Sequence, residues 1–90
     1  MKSIYKYTLL ITKDETVLDL PLNSEILSVK EQFGDICIWV KVDLGESTLE
    51  SRKFVIYGTG HKIDKDNLKF IDTVVLFNGS FVLHVFEHFE

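Results

Sequence analysis

The stretch KFIDTVVLFNGSFVLHVFEH, residues 69–88, decides the fold of this chain. Valine, isoleucine, phenylalanine and threonine, which are typical of strands, dominate both sides of its centre. The central pair Asn78-Gly79 is the strongest short hairpin signal, because both central residues of a type I′ turn must adopt positive φ. The stretch therefore predicts two antiparallel strands joined by a two-residue turn, with Phe77 opposite Ser80.

Both faces of this predicted hairpin are largely apolar. One face carries the cross-strand pairs Val75 with Val82, Thr73 with His84, and Ile71 with Phe86. The opposite face carries the pairs Leu76 with Phe81, Val74 with Leu83, and Asp72 with Val85. One face lines the core, so the other must be covered by a second sheet, by closure of a barrel or by a second subunit. We expect a homo-oligomer whose interface contains Val75, Phe77, Val82, His84 and Phe86.

The rest of the chain continues the β pattern as a single domain over residues 1–90. Short runs rich in β-branched and aromatic residues predict strands at 3–11, 17–20, 26–32, 36–43, 52–58, 69–77 and 80–88. No segment shows a sustained helical period. The fold class predicted is therefore all-β: a small antiparallel barrel or sandwich of about seven short strands joined by hairpins.

A second hairpin is predicted to turn at Phe33-Gly34. If Gln32 pairs with Asp35, one face is a continuous apolar set, and Trp39 lies on the opposite, polar face. Phenylalanine is a poor residue for positive φ, so a bulged turn would shift this register. The apolar set predicted for the core consists of Leu27, Val29, Ile36, Ile38, Val40 and Val42.

Composition excludes several classes of function. The 90 residues are 46% hydrophobic, which suits a globular core, and no apolar run approaches the roughly 20 residues of a membrane span. A net charge of −4 argues against binding duplex nucleic acid, which requires clustered lysine and arginine facing phosphates. Cys37 is the single cysteine, so no intramolecular disulfide forms, and we expect a reducing cytoplasm without membrane association.

The segment HVFEH, residues 84–88, fits the H-x-x-E-H pattern of zinc proteases. That pattern works on a helix, where residues four apart lie on one face. On a strand, His84 and His88 are separated by roughly 13 Å, too far for one zinc ion with bonds of about 2 Å. We therefore expect no metal site. Neither a nucleophile elbow nor H-E-x-x-H occurs, so we expect no catalytic residues and no cofactor.

The loop YGTGH, residues 57–61, is the most distinctive candidate for ligand binding. Gly58 and Gly60 would expose backbone N–H groups to an anion, and Thr59 would add a hydroxyl. The alternative is a structural turn that needs positive φ, with His61 packed over it. Further candidates for a nucleotide-like ligand are the stacking aromatics Tyr5, Tyr7, Trp39 and Tyr57 and the phosphate partner Arg52. The alternatives are ordinary strand packing for Tyr5 and Tyr7 and solvated surface charge for Arg52.

The order of the motifs IYKY, ILSV, ICIWVKVD, FVIYGTGH, FIDT and HVFE resembles a short family from phage and bacterial genomes, a domain of unknown function. The resemblance covers nearly the whole chain and implies a stand-alone domain in a phage setting, without supplying a catalytic residue. Two functions are expected for such a chain. It sequesters a nucleotide-derived signal as an anti-defence protein, or it docks an apolar sheet face or edge strand on a host protein.

Overall fold

Seven antiparallel strands form two sheets in the computed structural model, which describes residues 1–11 and 14–90. The smaller sheet has the strand order β1-β4-β3, and the larger has the order β2-β5-β7-β6. The strands are β1 (Lys2–Leu9), β2 (Thr16–Pro21), β3 (Glu25–Gln32), β4 (Asp35–Asp43), β5 (Leu49–Gly58), β6 (Leu68–Leu76) and β7 (Phe81–His88). The all-β prediction is confirmed, and of its two alternatives the sandwich is correct.

No helical segment in the described part of the chain has the length and apolarity of a membrane span.

The core lies between the two sheets and follows from strand alternation. Every second residue of β4, from Ile36 to Val42, is essentially inaccessible to solvent. Phe54 is the largest buried side chain and packs from the larger sheet. The remaining members of this cluster are Leu9, Leu20, Val29, Val74, Leu76, Leu83 and Val85.

The C-terminal hairpin turns at the predicted Asn-Gly pair, but Phe77–Gly79 form a 3₁₀ turn, so Phe77 and Ser80 lie in the turn and not in the strands. Ser80 donates its N–H to the Phe77 carbonyl at 3.1 Å, and Asn78 and Gly79 both have positive φ. The predicted pairing holds from Leu76 with Phe81 to Asp72 with Val85. It then fails at a bulge between Phe70 and Asp72, where Phe70 instead of Ile71 pairs with Phe86. The bulge turns Ile71 toward the core, against which it packs.

The second hairpin keeps the predicted pairing of Gln32 with Asp35. Phe33 and Gly34 adopt φ values of 54° and 87°, so the turn forms without shifting the register. The shift occurs inside β3 instead, at a bulge between Ile26 and Ser28. Ile26 therefore pairs with Val40, and the prediction that Leu27 lies in the core is wrong, since Leu27 is 42% exposed.

The connection from β5 to β6 is a crossover, which the prediction of hairpin connections missed. Both strands run antiparallel to β7 and flank it, so residues 59–67 must return along the sheet. The side chain of Tyr57 lies on the outer face of this sheet, and its hydroxyl donates to Asp64 at 2.8 Å, which places the crossover on that face. The crossover therefore covers part of the second apolar face, which was expected to require another sheet, barrel closure or a subunit.

A buried ion pair closes one end of the sandwich. Arg52 donates from Nε and Nη2 to the two carboxylate oxygens of Glu87 at 2.7 and 2.8 Å. Its Nη1 donates to the Ser24 carbonyl, in the connection between β2 and β3, at 2.6 Å. The bond from Glu87 raises the pKa of Arg52 above its usual value, although partial burial opposes this. The pair thus links β5, β7 and the connection that leads into the smaller sheet.

We expect Glu87→Ala to lower the free energy of unfolding by about 3 kcal/mol, because it leaves a charged guanidinium with no counterion in the interior. The double variant Arg52→Met with Glu87→Leu should lose less, since it removes both charges and keeps apolar volume. Urea denaturation of the two variants and the parent measures the difference. A double variant less stable than Glu87→Ala would contradict this account.

Candidate functional site

The end of the sandwich opposite the ion pair contains an apolar cleft. Strand β5 ends there at Gly58, next to the tip of the C-terminal hairpin. The cleft has a volume of ≈ 510 Å³, within the range of about 300–1,000 Å³ typical of small-molecule sites. Its lining residues are Ile11, Gly58, Thr59, His61, Leu76, Phe77, Ser80, Phe81, Val82 and Leu83.

The Tyr57–His61 loop forms a tight turn at this cleft. His61 donates its N–H to the Gly58 carbonyl at 3.0 Å, and Gly58 donates its own N–H to His61 Nδ1 at 3.3 Å. A Cβ at Gly58 would lie 2.9 Å from His61 Cε1, so the ring packs where no side chain fits. Gly60 has a φ of +88°, which glycine adopts without strain. Both glycines therefore have structural reasons to be present.

His84 fastens this loop to the outer face of the larger sheet. Its Nε2 lies 2.8 Å from Thr59 Oγ1, and its Nδ1 lies 2.9 Å from Thr73 Oγ1. The N–H of Thr59 also donates to the Val82 carbonyl at 3.3 Å. Both ring nitrogens of His84 are thus occupied by hydroxyl groups, which holds the beginning of the crossover against β6 and β7.

The HVFEH segment lies on β7, and its side chains alternate as a strand requires. Glu87 faces the interior, whereas His84 and His88 face outward. Among residues 1–11 and 14–90 no group of three or more histidine, cysteine, aspartate or glutamate side chains is placed to hold a metal ion.

The remaining predicted ligand-binding residues lie apart from the loop. Trp39 faces outward from the smaller sheet, opposite Lys6 and Ser28. Tyr5 and Tyr7 pair with Val40 and Ile38, and so lie on the inward face of that sheet. Arg52 uses Nε, Nη1 and Nη2 in the ion pair and its bond to Ser24. The structure therefore groups residues 57–61 with the hairpin tip and separates them from Trp39, Tyr5, Tyr7 and Arg52.

The tips of both hairpins meet at the cleft end and expose phenylalanine. One groove is lined by Gly34 of the first turn together with Phe77 and Asn78 of the second. Phe33 is 94% exposed and Phe77 is 63% exposed, and both have positive φ. We call this surface the apolar end; it consists of Leu10, Ile11, Phe33, Phe77 and Phe81.

The apolar end is not apparent from the sequence, in which Phe33 is only an unfavourable turn residue and Phe77 is predicted to lie on a sheet face. The feature of the sequence that could have indicated it is a bulky residue in or beside a turn, where glycine or asparagine would cause no strain. Two such residues in separate hairpins indicate a shared use only once the topology brings the turns together.

The chain belongs to a family described as a domain of unknown function (DUF7352), whose model matches residues 1–90. No curated protein and no solved structure matches the chain.

We expect Tyr57→Phe to raise the pKa of Asp64, because the Tyr57 hydroxyl is the main cause of its lowered value. Since the folded pKa is depressed, this contact contributes stability above the ordinary aspartate pKa of about 3.9, and the contribution is lost as pH falls through the lowered value. NMR titration of the side-chain carboxyl carbons measures the shift.

Asp43 is the matched control for this titration. Its pKa is also lowered, chiefly by the backbone N–H of Gly45, in the turn after β4. The Asp43 pKa should therefore stay the same in Tyr57→Phe. An unchanged Asp64 pKa in the variant would show that the hydroxyl does not hold the crossover.

Proposed function

We propose that this chain is a non-catalytic binding module that inserts its apolar end into a pocket of a partner protein. The observation that carries the proposal is the pair of exposed phenylalanines, Phe33 and Phe77, at the tips of two hairpins. Both hold positive φ, which costs a non-glycine residue roughly 1–2 kcal/mol. Phe33, which is 94% exposed, does not recover that cost by burial within the chain.

Burial in a partner would offset the cost. Removing a phenylalanine side chain from water contributes about 1.5–3 kcal/mol. Phe77 and Phe81 already pack edge to face, with ring centroids 5.8 Å apart, so they form a preorganised apolar projection. The cleft beside them would receive an apolar side chain of the partner in return.

Charge at the apolar end supports a partner pocket of basic character. The charged residues flanking the first turn, Glu31 and Asp35, are both acidic, and Glu31 accepts the Gly34 N–H at 2.6 Å. The chain has a net charge of −4. A pocket rimmed by lysine and arginine complements this surface, whereas an anionic lipid surface would repel it.

The state of the reactive side chains supports the non-catalytic part of the proposal. His84 is hydrogen-bonded through both ring nitrogens. Cys37 is 2% exposed, and Arg52 is committed to Glu87. These residues have structural partners or are inaccessible to a substrate.

Sequestration of a nucleotide-derived signal is a second candidate, favoured by the size of the cleft and by Thr59 and His61 at its rim. The aromatic rings of Phe77 and Phe81 would stack on a base there. Native mass spectrometry with cyclic oligonucleotides and ADP-ribose derivatives tests it. Bound ligand mass that Thr59→Val with His61→Ala abolishes would favour sequestration, and no added mass across the panel would eliminate it.

The phage setting implied by the sequence resemblance extends the main proposal to an anti-defence role in the host cytoplasm. The partner would then be a bacterial defence protein with a basic-rimmed apolar pocket. Expression of the chain should let a phage form plaques on bacteria that carry the targeted defence system. The Phe33→Asn and Phe77→Asn double variant should not restore plaques, and equal plaque formation with both chains would contradict this role.

Site-specific photo-crosslinking tests docking directly. A photoreactive phenylalanine is placed at Phe33, at Phe77, or at Leu49, which is 60% exposed at the opposite end and serves as the matched control. We expect one host protein to crosslink from positions 33 and 77 and not from 49. Excess parent chain should compete, and excess Phe33→Asn chain should compete poorly. Equal crosslinking from all three positions would contradict docking through the apolar end.

A further inference from the structure

Four strands lie at sheet edges, and among the described residues β1 is the one edge strand that contains neither a proline nor a bulge. Edge strands usually carry a device that prevents pairing with another chain. Strand β2 contains Pro21, and β3 and β6 each carry a bulge. Strand β1 has neither device: its pairing with β4 is continuous from Lys2 to Leu9.

The free side of β1 presents the backbone groups of its even-numbered residues. The Met1 carbonyl accepts the Leu44 N–H on the β4 side, at 2.9 Å. Because antiparallel strands alternate the direction of their backbone groups, odd-numbered residues bond β4 and even-numbered ones point away. Leu10 agrees with this parity, since its N–H turns away from β4 to Thr16 Oγ1 at 2.9 Å. The groups left on the free edge belong to Lys2, Ile4, Lys6 and Thr8.

The lysines of β1 do not protect this edge. Lys6 Nζ reaches back across β4 and donates to Gln32 Oε1 on β3 at 2.7 Å. Lys2 Nζ also lies toward β4, 4.0 Å from Asp43 Oδ2. Apolar surface is left open on both faces, with Ile4 58% exposed on the outer face and Tyr5 46% exposed on the inner one.

We propose that β1 pairs antiparallel with β1 of a second copy of the chain, about a twofold axis at Tyr5. Residues opposite each other in the two β1 strands must lie on the same face of the sheet, so their numbers are both even or both odd. The twofold axis therefore passes through a residue and not between two residues. An axis at Lys6 opposes the two Lys6 side chains, and an axis at Ile4 opposes Lys2 to Lys6, both unfavourable. The axis at Tyr5 opposes Lys6 to Ile4 and Lys2 to Thr8, and it places Tyr5 beside its counterpart.

This pairing joins the smaller sheets of two copies into one continuous sheet. The N–H and C=O groups of Ile4 and Lys6, which point to the free edge, form hydrogen bonds with the second copy. The exposed surface of Tyr5 on the inner face is covered by Tyr5 of that copy. Because the strands are antiparallel, the two apolar ends point in opposite directions and both stay free. The dimer is therefore a separate property from docking through the apolar end.

Disulfide trapping tests the register. Tyr5→Cys places two thiols in a non-hydrogen-bonded pair, with Cα atoms about 4.5 Å apart, a separation that disulfides span. Ser3→Cys is the control: opposite Ser3 lies Tyr7, so its two thiols are roughly 13 Å apart. We expect mild oxidation to give a covalent dimer of Tyr5→Cys and not of Ser3→Cys. The parent chain controls for Cys37, which is buried.

Sedimentation of the parent and of Ile4→Pro tests the edge independently. Proline removes an N–H that bonds the second copy and not β4, so the fold should persist by circular dichroism. We expect a dimer for the parent chain and at least about tenfold weaker association for the variant. A monomeric parent at about 100 μM, unchanged association of Ile4→Pro, or equal trapping of Ser3→Cys and Tyr5→Cys would overturn the proposal.

Discussion

The ion pair between Arg52 and Glu87 determines which of two apolar hairpin faces becomes the core. Both faces of β6 and β7 are rich in valine, leucine and phenylalanine, so burial alone does not choose between them. Glu87 is 5% exposed and bonds both carboxylate oxygens to a guanidinium on the same inward face. A slip of one residue would turn Glu87 outward and leave Arg52 unpaired in the interior. The pair therefore fixes the faces on which Val85 and His84 lie.

The outward face that this choice creates is stabilised by the chain itself. The crossover from β5 to β6 runs over it and is held at its beginning by Thr59 on His84 and farther along by Asp64 on Tyr57. The glycines of the Tyr57–His61 loop let the chain turn at the start of this path. A motif that resembles a ligand-binding loop in sequence thus has a clear structural role. The loop also lines the cleft, and its binding of a ligand there is a proposal.

Local patterns predicted the strands, both hairpin turns and most of the pairing, because alternation and turn residues act over a few positions. The bulges beside Leu27 and Ile71 could not be predicted from those patterns, since they accompany packing of Ile26 and Ile71 against the core, which involves residues distant in sequence. The crossover was missed because residues 59–67 carry no regular pattern. The apolar end was missed for a related reason. Phe33 and Phe77 lie 44 residues apart in sequence, and only the topology brings their turns together.

The two ends of the sandwich therefore differ in character: a charged pair closes one, and exposed phenylalanines occupy the other. We propose that Phe33 is retained for contact with a partner, at a cost to the stability of the free chain. The free energy of unfolding of Phe33→Asn, which recreates the Asn-Gly turn of the other hairpin, tests it most directly. We expect a gain of about 1 kcal/mol, because asparagine accepts positive φ and Phe33 has little packing to lose. A loss of stability would show that Phe33 supports the fold and would contradict the claim.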